Sequence, residues 1–105
     1  MNQSTSPSVN MDLLECIHNN SAVIGVIGMG YVGLPLAITF AEKGFSVFGF
    51  DIDAKKAKIL NEGGSYISHI ASDRIASQID NNKFTATSDF SNLSSVDVII
   101  ICVPT

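Results

Sequence analysis

The sequence predicts an α/β fold, a parallel β-sheet with flanking helices, and three observations carry that expectation. Apolar, β-branched runs at residues 22–27 and 97–103 read as strands buried on both faces, and residues 46–50 read as a further strand. Stretches with apolar residues at three- and four-residue spacing stand between them and read as amphipathic helices. The first run closes on Gly28-Met29-Gly30-Tyr31-Val32-Gly33, with glycines spaced for a tight strand-to-helix turn.

Residues 1–10 are polar and aperiodic and are expected to form a disordered tail, which leaves 11–105 as the folded unit. Asn10 or Asp12 caps a short helix with Leu13, Leu14 and Ile17 on one face, packed on the outside of the domain. Residues 22–27 form the first strand. After the glycine turn, Val32, Leu36, Phe40 and Ala41 supply the apolar stripe of a helix that Gly44 stops. Pro35 falls in its first turn, where the missing N–H has no intrahelical partner to lose. Residues 46–50 form the second strand, closed by Asp51. Asp53 caps a second helix running to Leu60, and Gly63 and Gly64 end it. A loop over 65–70 leads to a third helical stretch with Ile75 and Ile79 four residues apart. Residues 84–87 form a short strand and 97–103 a strong one. With right-handed crossovers this order gives a partial Rossmann-type sheet, 3-2-1-4.

Composition sets bounds on function. Of 105 residues, 46% are hydrophobic and 15% charged, which is rich in core material for a chain that folds. A net charge of −4 without any Lys or Arg cluster lacks the basic footprint that phosphate backbones require, so nucleic acid is not an expected partner. The longest apolar runs fall far short of the roughly 20 residues of a membrane helix, and no membrane partner is expected. Cys16 and Cys102 have neither C-x-x-C spacing nor a signal peptide beside them and read as reduced thiols of a cytoplasmic protein.

The glycine turn gains its meaning from context. It follows a strand and opens a helix, and an acid stands 23 residues after its first glycine at the end of the next strand. Gly28 permits the tight turn, Gly30 leaves room for a pyrophosphate to approach the backbone, and Gly33 lets the helix pack close to the strand. The helix N-terminus holds the anion through its N–H groups and dipole. Asp51 accepts hydrogen bonds from the adenosine ribose and repels a 2′-phosphate, which favours NAD over NADP. Lys56, on the first turns of the second helix, is placed to approach the ribose or a cofactor phosphate. Val103 ends the last strand, and Pro104 and Thr105 follow it at the switch point where α/β ligands bind. His18 and His69 lack a second ligand at metal-binding spacing, so no metal site is expected. Cys102, between Ile101 and Val103, reads as an inert core thiol, and Phe40, Phe45, Phe48 and Phe50 are spaced as core.

From Gly28 through Ala37 the chain resembles the UDP-glucose and UDP-N-acetylhexosamine 6-dehydrogenases, the nucleotide-sugar dehydrogenase family. Asp51-Ile52-Asp53 with Lys56, then Leu60-Asn61 and Gly63-Gly64, is similar to that family's second β–α unit. Cys102-Val103-Pro104-Thr105 is similar to its signature after the fourth strand. The stretches 65–70 and 85–90 and the leading helix with Leu13, Leu14 and Ile17 resemble the UDP-N-acetylglucosamine 6-dehydrogenases of surface polysaccharide synthesis. The resemblance covers residues 11–105, with Met29 in place of the more usual leucine, a volume-conserving change.

The resemblance implies that Tyr31, Val32, Asp51, Lys56 and Thr105 contact NAD. It implies oxidation of a sugar C6 alcohol to the carboxylate with two NAD⁺ in succession and a thioester on a cysteine. Family members are several times longer, and their catalytic residues lie in later parts. The chain is therefore expected to be an amino-terminal fragment without catalytic residues, inactive alone, meeting UDP-sugar only through the rest of the enzyme and forming homo-oligomers. The alternative from another class is a non-catalytic nucleotide-sensing Rossmann regulatory domain. A flavin-binding domain would more often carry Glu at position 51.

Overall fold

The computed structural model describes residues 21–67 and 70–102. The expected tail, the helix over 11–20 with Cys16 and His18, His69, and the cofactor contacts Val103, Pro104 and Thr105 lie outside the described residues.

Among the described residues four strands are present: β1 (Val23–Ile27), β2 (Ser46–Phe50), β3 (Phe84–Thr87) and β4 (Val98–Ile101). They form one parallel sheet in the order β3-β2-β1-β4, as the alternation of strand and helix requires. Val23 stands opposite Ser46, Ile24 opposite Val98 and Val47 opposite Phe84. Asp97 fastens the start of β4, because its N–H donates to the Val23 carbonyl (2.7 Å) and its Oδ2 accepts from the Val23 N–H (2.8 Å).

Among the described residues three α-helices stand between them: α1 (Gly33–Glu42), α2 (Ala54–Asn61) and α3 (Ser72–Asp80). Gly44, at φ 102°, lets the chain reverse from α1 into β2. Asp53 caps α2 by accepting from the Lys55 N–H at 3.0 Å. The core lies between these helices and one face of the sheet. Leu34, Ala37, Ile38 and Ala41 of α1, Leu60 of α2 and Ile75 of α3 bury against Ile24, Val26, Val47, Phe84 and Ala86. The buried stripe of α1 differs from the one expected: Val32 is 69% exposed and Leu36 and Phe40 are half-buried. The close backing of Gly33 onto Gly28 turns Leu34 and the two alanines toward the sheet instead, and their small size permits the short helix-to-sheet distance. The guanidinium of Arg74 on α3 meets the Glu42 carboxylate of α1 through two bonds, of 2.8 and 2.9 Å.

The other face is covered differently. A 3₁₀ turn, Phe90–Ser95, crosses it, capped by Asp89 accepting from the Ser91 N–H at 3.0 Å. Hydrogen bonds from Ser91 hold the Asp89 carboxyl below its usual range. Phe90 packs on Phe50 (5.4 Å between ring centroids) and Phe50 on Phe48 (6.0 Å). Ile99 and Ile101 share this face with their partners Gly25 and Ile27, and stand 50% and 65% exposed. The outer edge of β3 is closed: the Asn61 side chain donates to the Ala86 carbonyl (2.7 Å) and accepts from its N–H (2.9 Å).

Candidate functional site

The site lies where the sheet ends. At the carboxyl end of β1 the chain leaves the sheet at Gly28, whose φ of 99° is the left-handed conformation that glycine adopts without strain. The Gly28 N–H still donates to the Phe50 carbonyl (2.7 Å), so the turn stays tied to β2. A Cβ built on Gly33 would stand 1.7 Å from the Gly28 carbonyl oxygen, so glycine there is a condition of the turn itself. Gly30 is the opposite case: a Cβ on it would meet nothing within 4 Å, and its φ is not positive. Neither packing nor backbone conformation requires glycine at position 30. The backbone there is open to the close approach of a ligand, the property by which glycine turns of this type admit a pyrophosphate.

Asp51 follows β2 and reaches across to the turn. Its Oδ2 accepts from the Met29 N–H and its Oδ1 from the Asp53 N–H, both at 2.9 Å. Each carboxylate oxygen has a second lone pair, so the group retains capacity for two ribose hydroxyls. The Lys56 ammonium stands 4.0 Å from Asp51 Oδ2 and 5.6 Å from the centre of the Tyr66 ring.

Two clefts open beside the turn. One, of about 380 Å³, is lined by Ile27, Gly28, Asp51, Ile52, Asp53, Lys56 and Phe90. The other, of about 710 Å³, is lined by Gly30, Tyr31, Val32, Lys56, Tyr66, Ile67, Ile101 and Cys102. Lys56 belongs to both. Gly28, Gly30, Tyr31, Val32, Asp51 and Lys56 are thus brought together as walls of one divided groove. Met29 and Gly33 are not: the Met29 side chain is buried in the core and Gly33 is covered by Gly28.

Sequence reasoning did not single out Tyr66, Ile52 or Phe90. Tyr66 donates from its hydroxyl to the Met29 carbonyl at 2.6 Å, across 37 positions of sequence. Burial, then the nearby charges of Asp51 and Asp53, push its phenol well above the usual range. Ile52 carried a signal in principle, an apolar side chain beside the predicted ribose acid, and it stands 89% exposed at the mouth of the smaller cleft. Cys102 is not sealed in the core as expected: it follows β4, half-buried, and lines the larger cleft. Among the described residues, no group of three or more His, Cys, Asp or Glu could hold a metal ion.

A parallel sheet whose first strand ends on a glycine turn, with an acid from the second strand bonded to that turn, defines a dinucleotide-binding domain. The chain belongs to the UDP-glucose/GDP-mannose dehydrogenase family: residues 22–105 match the model of its NAD binding domain. It is 39% identical over 83 residues to a UDP-N-acetyl-D-mannosamine dehydrogenase of Pyrococcus horikoshii, covering 78% of this chain and 20% of that protein. It is 34% identical over 82 residues to a UDP-N-acetyl-D-glucosamine 6-dehydrogenase of Pseudomonas aeruginosa, covering 78% of this chain and 18% of that one. The solved ternary complex of GDP-mannose dehydrogenase from Pseudomonas aeruginosa superposes with a TM-score of 0.75 at 30% identity, over 78% of this chain and 19% of that chain. The chain therefore spans about a fifth of the length of these relatives.

Proposed function

We propose that the chain supplies the adenosine-binding end of the NAD site in a nucleotide-sugar dehydrogenase. The observation that carries this reading is the open space over Gly30 beside an Asp51 carboxylate bonded to the same turn. Asp51 receives the ribose hydroxyls, and its charge turns away a 2′-phosphate. Ile52 and Phe90 flank the adenine, Gly28 and Gly30 admit the pyrophosphate, and Lys56 faces it from between the two clefts. Tyr31 and Val32 wall the larger cleft, Met29 and Gly33 hold the shape of the turn, and Val103, Pro104 and Thr105 complete the cofactor contacts, as the sequence resemblance implies. NAD, when bound, accepts hydride from the oxidised carbon.

The reaction we propose for the enzyme is oxidation of the C6 alcohol of a UDP-N-acetylhexosamine, UDP-N-acetylglucosamine in particular, to the uronic acid with two NAD⁺. Its products serve surface polysaccharide synthesis in the cytoplasm, and the enzyme works as a homo-oligomer. The likeness of residues 65–70 and 85–90 to UDP-N-acetylglucosamine 6-dehydrogenases supports that sugar, although relatives named for the mannosamine and glucosamine sugars match this chain to similar degrees. Among the described residues, no helix is long and apolar enough to cross a membrane.

The test has two parts. ADP-ribose and NAD, titrated by NMR, are expected to bind while NADP does not, and Asp51→Ala is expected to abolish binding. Equal binding of NADP would remove the role given to Asp51. The enzyme comprising this domain is then assayed with UDP-N-acetylglucosamine, UDP-N-acetylmannosamine, UDP-glucose and GDP-mannose. Preference for any but the first would overturn the sugar assignment.

A further inference from the structure

We infer that Tyr66 is a positioning residue for cofactor binding: its hydroxyl, bonded to the Met29 carbonyl, fixes the Met29–Gly30 peptide so that the Gly30 N–H is set for a pyrophosphate oxygen. The inference rests on the NAD reading above and adds a residue to it.

The peptide bond is planar and trans, so its carbonyl and its N–H point in opposite directions. Holding the Met29 oxygen therefore holds the Gly30 N–H. The need for such a tether follows from Gly30 itself, because no neighbour stands within 4 Å of where its side chain would be. Glycine also has the widest choice of backbone conformations. A turn with that residue at its centre can exchange peptide orientations unless its ends are held. On the amino side, Asp51 holds the Met29 N–H at 2.9 Å and the Met29 side chain is buried. On the carbonyl side, the bond from Tyr66 at 2.6 Å supplies the restraint.

Tyr66 is suited to the task. It is half-buried in the loop after α2, its ring faces Lys56 at 5.6 Å, and it lines the larger cleft beside Gly30. Burial and the carboxylates of Asp51 and Asp53 keep the phenol protonated, hence a donor, throughout the physiological range.

The experiment compares the protein with its Tyr66→Phe variant, which keeps the ring and its contact with Lys56 and removes only the hydroxyl. Binding of ADP-ribose, which carries the pyrophosphate, and of adenosine, which does not, is titrated by NMR while relaxation of the Gly30 amide is followed. The expected result is about a tenfold loss for ADP-ribose, the order of one charge-assisted contact. Adenosine affinity stays within about twofold by the same scale, and the Gly30 amide gains microsecond-to-millisecond exchange. An unchanged ADP-ribose affinity overturns the inference, as does an equal loss for both ligands, which would mean that Tyr66 only supports the fold. Should the variant not fold, the unsubstituted protein still decides: exchange at its free Gly30 amide as large as that of an unrestrained loop glycine overturns the inference. Failure of the unsubstituted protein to bind ADP-ribose would instead overturn the NAD reading, and this inference with it.

Discussion

Two glycines three residues apart provide a sharp test of what the turn is for. Placing a methyl at Gly33 puts a carbon 1.7 Å from the Gly28 carbonyl oxygen and 2.9 Å from its carbon, both backbone atoms that no rotamer change can move. Relieving that overlap needs a backbone shift of more than an ångström between α1 and β1, in a region where Leu34, Ala37 and Val26 are fully buried. Overpacking of a tight core costs typically about 1–3 kcal/mol and occasionally more. Gly33→Ala belongs at or above the upper figure, a fall in Tm of roughly 12–24 °C for a domain of this size. Gly30→Ala has the opposite signature. Its methyl meets nothing, and replacing glycine at a compatible backbone angle stabilises by about 0.4–1 kcal/mol through the unfolded chain. The melting temperature should hold or rise while ADP-ribose binding is lost, because the methyl occupies the pyrophosphate's place. Thermal melting by circular dichroism and NMR titration read the two effects separately. The reasoning is refuted if Gly30→Ala melts as low as Gly33→Ala, or if it binds ADP-ribose as the unsubstituted protein does.

Other outcomes follow from named contacts. Asn61→Ala orphans the outward N–H and carbonyl of Ala86 and is expected to lower stability by about 1–3 kcal/mol in urea titration, with increased self-association; a change below about 0.3 kcal/mol would contradict the bonded geometry. The Arg74 guanidinium, through its hydrogen bonds, holds the Glu42 carboxyl below its usual 4.5. The pair's stabilisation is therefore complete above that value and fades as pH falls through the lowered one. Both groups are substantially exposed, so its size is about 0.5 kcal/mol, and the Tm difference between the protein and Glu42→Gln should shrink on going from pH 7 to about pH 3. Gly49→Ala would press on the Met29 sulfur at 2.6 Å and on the Phe84 ring at 2.9 Å. It is expected to destabilise by about 1–3 kcal/mol and to weaken ADP-ribose binding by shifting the turn from beneath, both readable in the same titrations.

Topology and the heart of the site were legible because they are written locally. Uninterrupted apolar runs mark the strands, although β4 was expected to be buried on both faces and its Ile99 and Ile101 stand open, and glycine at 28, 30 and 33 marks a turn by its spacing between a strand and a helix. Asp51 was legible through its position at the end of β2. What was not legible depends on approach between distant segments. The burial of Leu34, Ala37 and Ile38 rather than Leu36 and Phe40 is set by how closely α1 sits on β1, which apolar character does not encode. The bond from Tyr66 to Met29 depends on the path of the loop after α2, and a lone tyrosine in a loop announces nothing of its partner. The 3₁₀ turn over Phe90 had a local cue, Asp89 two residues before Ser91, of the kind that caps helices.

The amide of Asn61 offers Ala86 one donor and one acceptor, the same pair that the backbone of a neighbouring strand would offer. The sheet is in effect terminated on the β3 side by a side chain imitating a peptide. Its opposite margin, at β4, has no such terminator among the described residues, and Ile99 and Ile101 stand open on its face. Enlargement of this architecture is thereby given a direction. A strand added parallel to β4 would bring the loop at its carboxyl end to the mouth of the larger cleft, beside Ile101 and Cys102. Growth of the fold and elaboration of the binding groove become one event.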